Sequence, residues 1–232
     1  MTTLTPTPGL AEPPPTFSWL GAWRAALTRP SVATYSDLLL DPKASLRRAI
    51  AWLFSATLLS YLVGVGIQAA VFPGMLAEVI RDAAETAPAG IGVTPTLVLG
   101  LSLACTPFLA GFVLLTYLVG FGLIHFIASA LGSQGSYSEL VYTHAAYLAP
   151  MTLLTTLLGM IPVVNCLTVP LGLYSFGLQL MALKSATRMG WGRVFATLLI
   201  VGLLIGLVVA VLGLGVFAPE LERWLREAGV SA

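Results

Sequence analysis

The chain has 232 residues, of which 57% are hydrophobic and 9% charged, and its net charge is +1. Soluble domains carry about 25% charged residues, so a chain with a mean hydropathy of +0.92 cannot cover its surface with water-soluble groups, and lipid must be its main solvent. The net charge of +1 gives no suggestion of a nucleic-acid partner, and none is expected.

Residues 1–16 are rich in Pro and Thr, lack Lys and Arg and hold no apolar run. They read as a disordered leader, with no cleavable signal peptide expected. In the segment 17–48, Phe17, Trp19, Leu20, Trp23 and Leu27 recur at roughly helical spacing beside Arg24 and Arg29. That pattern predicts an amphipathic helix. It lies in the headgroup layer, packs on the protein's own cytoplasmic end, or does both.

A first membrane span is expected over 49–71, bounded by Arg47, Arg48 and Pro73, followed by a short amphipathic stretch at 75–86 and a Pro/Gly-rich turn at 87–95. Residues 96–131 hold no charge apart from His125. At ~1.5 Å per residue, one helix of that length would reach ~54 Å against a hydrocarbon core of ~30 Å. Either one long helix runs through Pro107, or two short spans turn there. A Gly/Ser turn at 132–137 precedes a third long span at 140–160 containing Pro150. Pro162 and Asn165 suggest a tight re-entry into 163–183, where Pro170 is a possible kink, and the last span is expected over 194–217. Residues 218–232 form an amphipathic extracytoplasmic tail. Cys105 and Cys166 lie inside apolar stretches and read as small buried hydrophobes rather than as a disulfide.

Charge asymmetry favours five spans over six. With the N-terminus inside, Arg24, Arg29, Lys43, Arg47, Arg48, Lys184, Arg188 and Arg193 are cytoplasmic, against Arg81, Arg223 and Arg226 outside. A sixth span would move the 184–193 loop outside and collapse that bias. The expected fold is therefore an all-α polytopic membrane bundle of five helices (49–217) with an N-terminal interfacial helix.

The order of these features resembles the Yip (Ypt-interacting protein) domain family of small five-span membrane proteins. The stretch WRAALTRPSVATYSDLLLDPKASLRRAI (23–50) looks like the entry pattern of the family's bacterial branch. LGSQGSYSELVYTHAAYLAP (131–150) looks like its Gly-rich turn and aromatic-rich helix, and the basic turn at 184–193 also fits. The likeness covers roughly 19–216. Eukaryotic members of that family look like adaptors that engage prenylated Rab-type GTPases through a cytoplasmic DLYGP-like motif. The nearest text here is Leu40-Asp41-Pro42, so Rab binding is not carried over. What the resemblance implies is architecture, in a bacterial cytoplasmic membrane, more than activity.

Ionisable residues inside a membrane are functional suspects, and His125, Glu139 and His144 qualify, with Tyr137, Tyr142 and Tyr147 nearby. One reading gathers His125, Glu139, Tyr142 and His144 into a polar cluster at the cytoplasmic mouth, suited to a proton, a metal or a lipid headgroup. The other leaves Glu139 solvated and gives each His one interhelical hydrogen bond. Two His and one Glu without close spacing fall short of a zinc site. No hydrolase elbow, Walker loop, dinucleotide fingerprint or HExxH motif occurs, so no enzyme and no cofactor is expected. Gly132-Ser133-Gln134-Gly135 reads as a flexible turn. Gly202 and Gly206 form a GxxxG that suits internal helix packing or a dimer face.

Three functions compete. A non-enzymatic membrane adaptor would dock other membrane proteins through Trp19, Trp23, Arg24 and Arg29. An accessory subunit would fill space in a larger complex, and a small-molecule or ion transporter would use the Pro-broken helices. The first is favoured, with the lipid bilayer and other membrane proteins as partners and a homo-oligomer possible. Deleting 17–30 is then expected to weaken association while leaving insertion intact.

Overall fold

The computed structural model describes residues 15–71, 73–86, 94–159 and 164–227. The expected leader through residue 14, most of the 87–95 turn, the Pro162 re-entry and residues 228–232 lie outside the described residues. All regular structure among the described residues is helical. In chain order the helices are α1 (Trp19–Thr28), α2 (Val32–Leu40), α3 (Leu46–Val71), α4 (Pro73–Thr86), α5 (Pro95–Ala130) and α6 (Tyr137–Gly159). A 3-10 turn (Val164–Leu167) then leads into α7 (Thr168–Thr187), followed by α8 (Trp191–Glu227).

Among the described residues, four stretches are long and apolar enough to cross a membrane: Leu46–Val71, Pro95–Ala130, Val164–Thr187 and Trp191–Gly213. Of the five expected spans, the one over α6 does not meet the same demand of apolarity. Its 23 residues are enough to span, but its first turns carry Ser138, Glu139, Tyr142, Thr143 and His144. The reason is position. Helix α6 packs chiefly between α3 and α7, and every residue from 140 to 147 is buried. A helix surrounded by protein can keep polar atoms that lipid would reject.

The uncharged stretch after residue 95 is one helix, with Pro107 inside α5, which settles the choice between one helix and two. Pro170 falls in the first turn of α7, where its missing N–H breaks no intrahelical bond. The segment 17–48 holds two helices in place of the expected one, separated by a turn at Arg29 to Ser31 and capped by hydroxyls. Ser18 Oγ accepts from the Gly21 amide and Ser31 Oγ from the Thr34 amide, both at 3.0 Å.

Two expectations about burial are corrected. Cys105 and Cys166 are exposed, as are Phe108, Phe112, Leu203 and Leu207, because a lipid-facing surface is as apolar as a core. Gly202 and Gly206 are also exposed, and a Cβ added to either meets nothing within 4 Å. The glycine pair therefore does not serve packing within this bundle.

Helix α1 buries Ala22 and Ala26, and the Tyr174 hydroxyl of α7 donates to the Leu27 carbonyl. Helix α2 buries Tyr35 and Leu38 and meets α7 through the Ser36 and Ser185 hydroxyls, 3.1 Å apart. The turn before α6 packs on the end of α7, with the Gln134 amide donating to the Thr187 carbonyl at 3.2 Å. Residues 15–48, 131–137 and 184–193 thus share one end of the bundle, where eight of the eleven Lys and Arg residues lie.

Candidate functional site

At this basic end the chain between α2 and α3 turns sharply at Asp41. The carboxylate, with a fully buried side chain, accepts from the Lys43 amide at 3.0 Å and the Phe17 amide at 3.3 Å. It also takes a charge-assisted bond of 2.8 Å from the Arg48 guanidinium, whose side chain is only 8% exposed. The second guanidinium arm donates to the Phe17 carbonyl at 2.8 Å. One ion pair therefore ties three separate pieces together: the segment entering α1, the α2–α3 turn and the first turn of α3.

Aromatic rings enclose that pair. The Arg48 guanidinium carbon sits 4.7 Å from the centroid of the Trp52 ring. Trp52 stacks on Tyr142 of α6 at 5.2 Å, and the edges of Trp19 and Trp23 approach it at 6.0 and 6.3 Å. The Tyr142 hydroxyl lies 3.4 Å from the guanidinium. Trp19 and Trp23 thus pack on the protein's own end, one of the two placements open for them. They do so with one edge outward: Trp19 remains 46% exposed. Leu20, Arg24, Arg29, Leu40, Lys43 and Arg47 are exposed as well, giving a mixed apolar and cationic outer face.

Burial alone would raise the Asp41 pKa. The two amides and the guanidinium outweigh it and hold the carboxyl below its ordinary value. A carboxyl with a depressed native pKa stabilises the fold above its unfolded pKa of about 3.9, and that contribution is lost as pH falls through the lower native value. Tryptophan fluorescence of the detergent-purified protein is therefore expected to stay constant from neutral pH to about 5 and to shift only below about 4. In Asp41→Asn the acid shift is expected to vanish. A wild-type shift at pH 5 to 6 would show that another group controls this layer.

The four residues expected to cluster do not. Glu139 belongs to the turn: it forms a capping box with Ser136, whose amide donates to Oε2 at 2.7 Å, and it pairs with Arg188 at 2.7 Å. Tyr142 faces Trp52 and Arg48. His144 is fully buried, its Nδ1 lies 2.8 Å from the Leu140 carbonyl of its own helix, and its ring lies 5.0 Å from Phe121 and 5.8 Å from Tyr147. The bond expected between helices is therefore made within one. His125 meets only the edge of the Tyr137 ring, at 5.9 Å, among the described ring contacts. Glu139 and Tyr142 do line one small cavity of about 80 Å³ together with Ser45 and Ser138.

Asp41 and Arg48 were legible only as a turn signal and as a topological charge. Their separation of seven residues across a Pro turn, directly before an apolar helix, is the sequence signal that could have paired them. Compared with models of known protein families, residues 24–213 match the one described as the Yip1 domain. No curated protein and no solved structure matches.

Proposed function

We propose, from the premise that this chain belongs to the Yip1 domain family, that it is a five-span, non-enzymatic membrane adaptor. In this reading α6 is the central span, packed against α3, α5 and α7. The N-terminus and the basic end face the cytoplasm of a bacterial cell. Four crossings, an even number, then separate the two basic segments, 24–48 and 184–193, and put both on the same side, as the positive-inside rule favours.

The observation that carries the adaptor role is the way α1 and α2 are held. The buried Asp41–Arg48 pair and the Trp52 ring clamp them to the bundle from within. One edge of Trp19, with Leu20, Arg24 and Arg29, is left exposed on the outer side. A rigid surface of Trp, Leu and Arg has the composition of an interface hot spot. It is also presented beside the headgroups, where a second membrane protein would meet it.

Deleting 17–30 is a poor test, because Phe17 and Trp23 cover Arg48 and Trp52 and their loss would unroof the ion pair. Leu20→Ser combined with Arg24→Glu alters only outward residues. Losing an interface anchor costs about 2 kcal/mol or more, roughly thirtyfold in affinity. Crosslinked partners recovered from native membranes are therefore expected to fall sharply with that variant, at unchanged insertion and melting temperature. Equal recovery of the same partners would remove the docking role from this face.

A further inference from the structure

Deeper in the bundle, α3, α5 and α6 part to leave a cavity of about 500 Å³, within the size range of ligand pockets. Its wall is unusual for a lipid-embedded site. It holds six hydroxyl side chains, Thr57, Ser60 and Tyr61 of α3, Tyr117 of α5, and Thr152 and Thr156 of α6. Ser60, Tyr117 and Thr152 each lie roughly 20 Å along their helices from the basic end, counted at about 1.5 Å per residue. That depth is beyond the reach of a phospholipid headgroup on the same side.

Hydrogen bonding distinguishes the six. Thr152 and Thr156 spend their protons on backbone carbonyls, of Leu148 at 2.8 Å and of Thr152 at 2.9 Å. They offer the cavity lone pairs only. Ser60 is 7% exposed and its Oγ has no partner, a condition that buried hydroxyls rarely tolerate. Beside it the phenols of Tyr61 and Tyr117 supply further donors. A second cavity of about 160 Å³ shares Ser60 and Thr156 and is otherwise walled by Leu and Val. Hydroxyl donors therefore adjoin an apolar slot, and neither cavity is lined by a charged group.

We propose that this hydroxyl-lined cavity binds an uncharged lipophile through a carbonyl oxygen that accepts from Ser60, whose buried Oγ reaches it by turning about χ1, with the apolar part of the ligand in the neighbouring slot. A charged ligand is excluded, since no counter-ion lines a site surrounded by hydrocarbon. A plain acyl chain would leave the Ser60 donor unsatisfied. The carbonyl can come from the ester of a neutral glyceride or from a quinone ring, and both have the required shape.

The test uses the full-length protein in nanodiscs and three photoactivatable probes: a diacylglycerol, a quinone and, as control, a phosphatidylcholine. Labelling of peptides spanning 57–65, 113–117 or 152–156 by the glyceride or the quinone probe above the control supports the site. Whichever of the two labels identifies the source. Losing one hydrogen bond of ordinary strength lowers affinity about fivefold, which is the fall in labelling expected for Ser60→Ala. Thr156→Leu, which fills the shared wall, is expected to abolish labelling, with melting curves confirming that both variants fold. Labelling equal to the phosphatidylcholine control, or unchanged in both variants, would overturn the proposal, and neither outcome bears on the docking face at the basic end.

Discussion

Gly135→Ala is expected to be the most damaging single methyl group that can be added to this protein. A Cβ at position 135 would lie 1.7 Å from the Ala186 carbonyl oxygen, 2.8 Å from its carbon and 3.3 Å from the Thr187 Cα. All three are backbone atoms of the α7 end, so no side chain can swing aside. The turn must lift off α7, which breaks the Gln134 amide bond to Thr187 and the neighbouring bond from Ser133 Oγ at 3.4 Å. It also pulls Glu139 away from Arg188. Overpacking against movable side chains costs about 1–3 kcal/mol, and against fixed backbone the expected loss is at least the upper end of that range. The internal control is Gly202→Ala, where nothing lies within 4 Å. An exposed helix interior gains up to about 1 kcal/mol from that change. Thermal unfolding in detergent should therefore move the two variants in opposite directions. A Gly135→Ala protein that melts with the wild type would mean that the turn does not sit on α7.

That glycine shows where sequence reasoning stops. The turn at 132–137 was legible from its Gly and Ser content, and Gly132 does adopt a positive φ of 89°. Its companion Gly135 is required for a different reason, the close approach of a helix end fifty residues away, which no local pattern encodes. The same divide runs through the fold. Helix α3 begins three residues before its expected start and ends where expected, because charged residues and a proline mark its boundaries. The amphipathic α4 was legible from the alternation of charge and apolar residues. Burial was not legible for Cys105, Cys166, Gly202 or Gly206. In lipid the outward face is as apolar as the inward one, so hydropathy carries no sign. The polar residues are the better guide: the least apolar long helix, α6, is the most enclosed. The candidate site followed suit. Trp19 and Trp23 were legible as an amphipathic face, whereas the Asp41–Arg48 pair beneath them depends on how the α2–α3 turn folds back.

Breaking that pair is expected to release α1 and α2 while the membrane bundle stays intact. Removing one partner of a buried, hydrogen-bonded ion pair costs about 3–5 kcal/mol, because the other charge is left without compensation. In Arg48→Met the Asp41 carboxylate keeps two amide donors but loses its cation. In Asp41→Asn the guanidinium keeps the Phe17 carbonyl and the Trp52 face but loses its anion. Arg48→Lys is no rescue, since one ammonium cannot bridge Asp41 and Phe17 as the two guanidinium arms do. The double variant Asp41→Asn with Arg48→Met leaves no unpaired charge and is expected to be less damaged than the sum of the singles. The readout is protease cleavage in the 28–31 turn against helicity measured by circular dichroism. The single variants should be cut faster with helicity nearly unchanged, because α1 and α2 are a small share of the helix and their loss leaves the packing among α3, α5, α6 and α7 in place. Cleavage unchanged in all three would show that the aromatic contacts alone hold the layer, and additive single effects would show that the two residues act independently of one another. Because the proposed docking face rests on a pair remote from the cavity, the adaptor reading can be tested apart from the cavity: partner recovery should follow the protease result and lipid labelling should not.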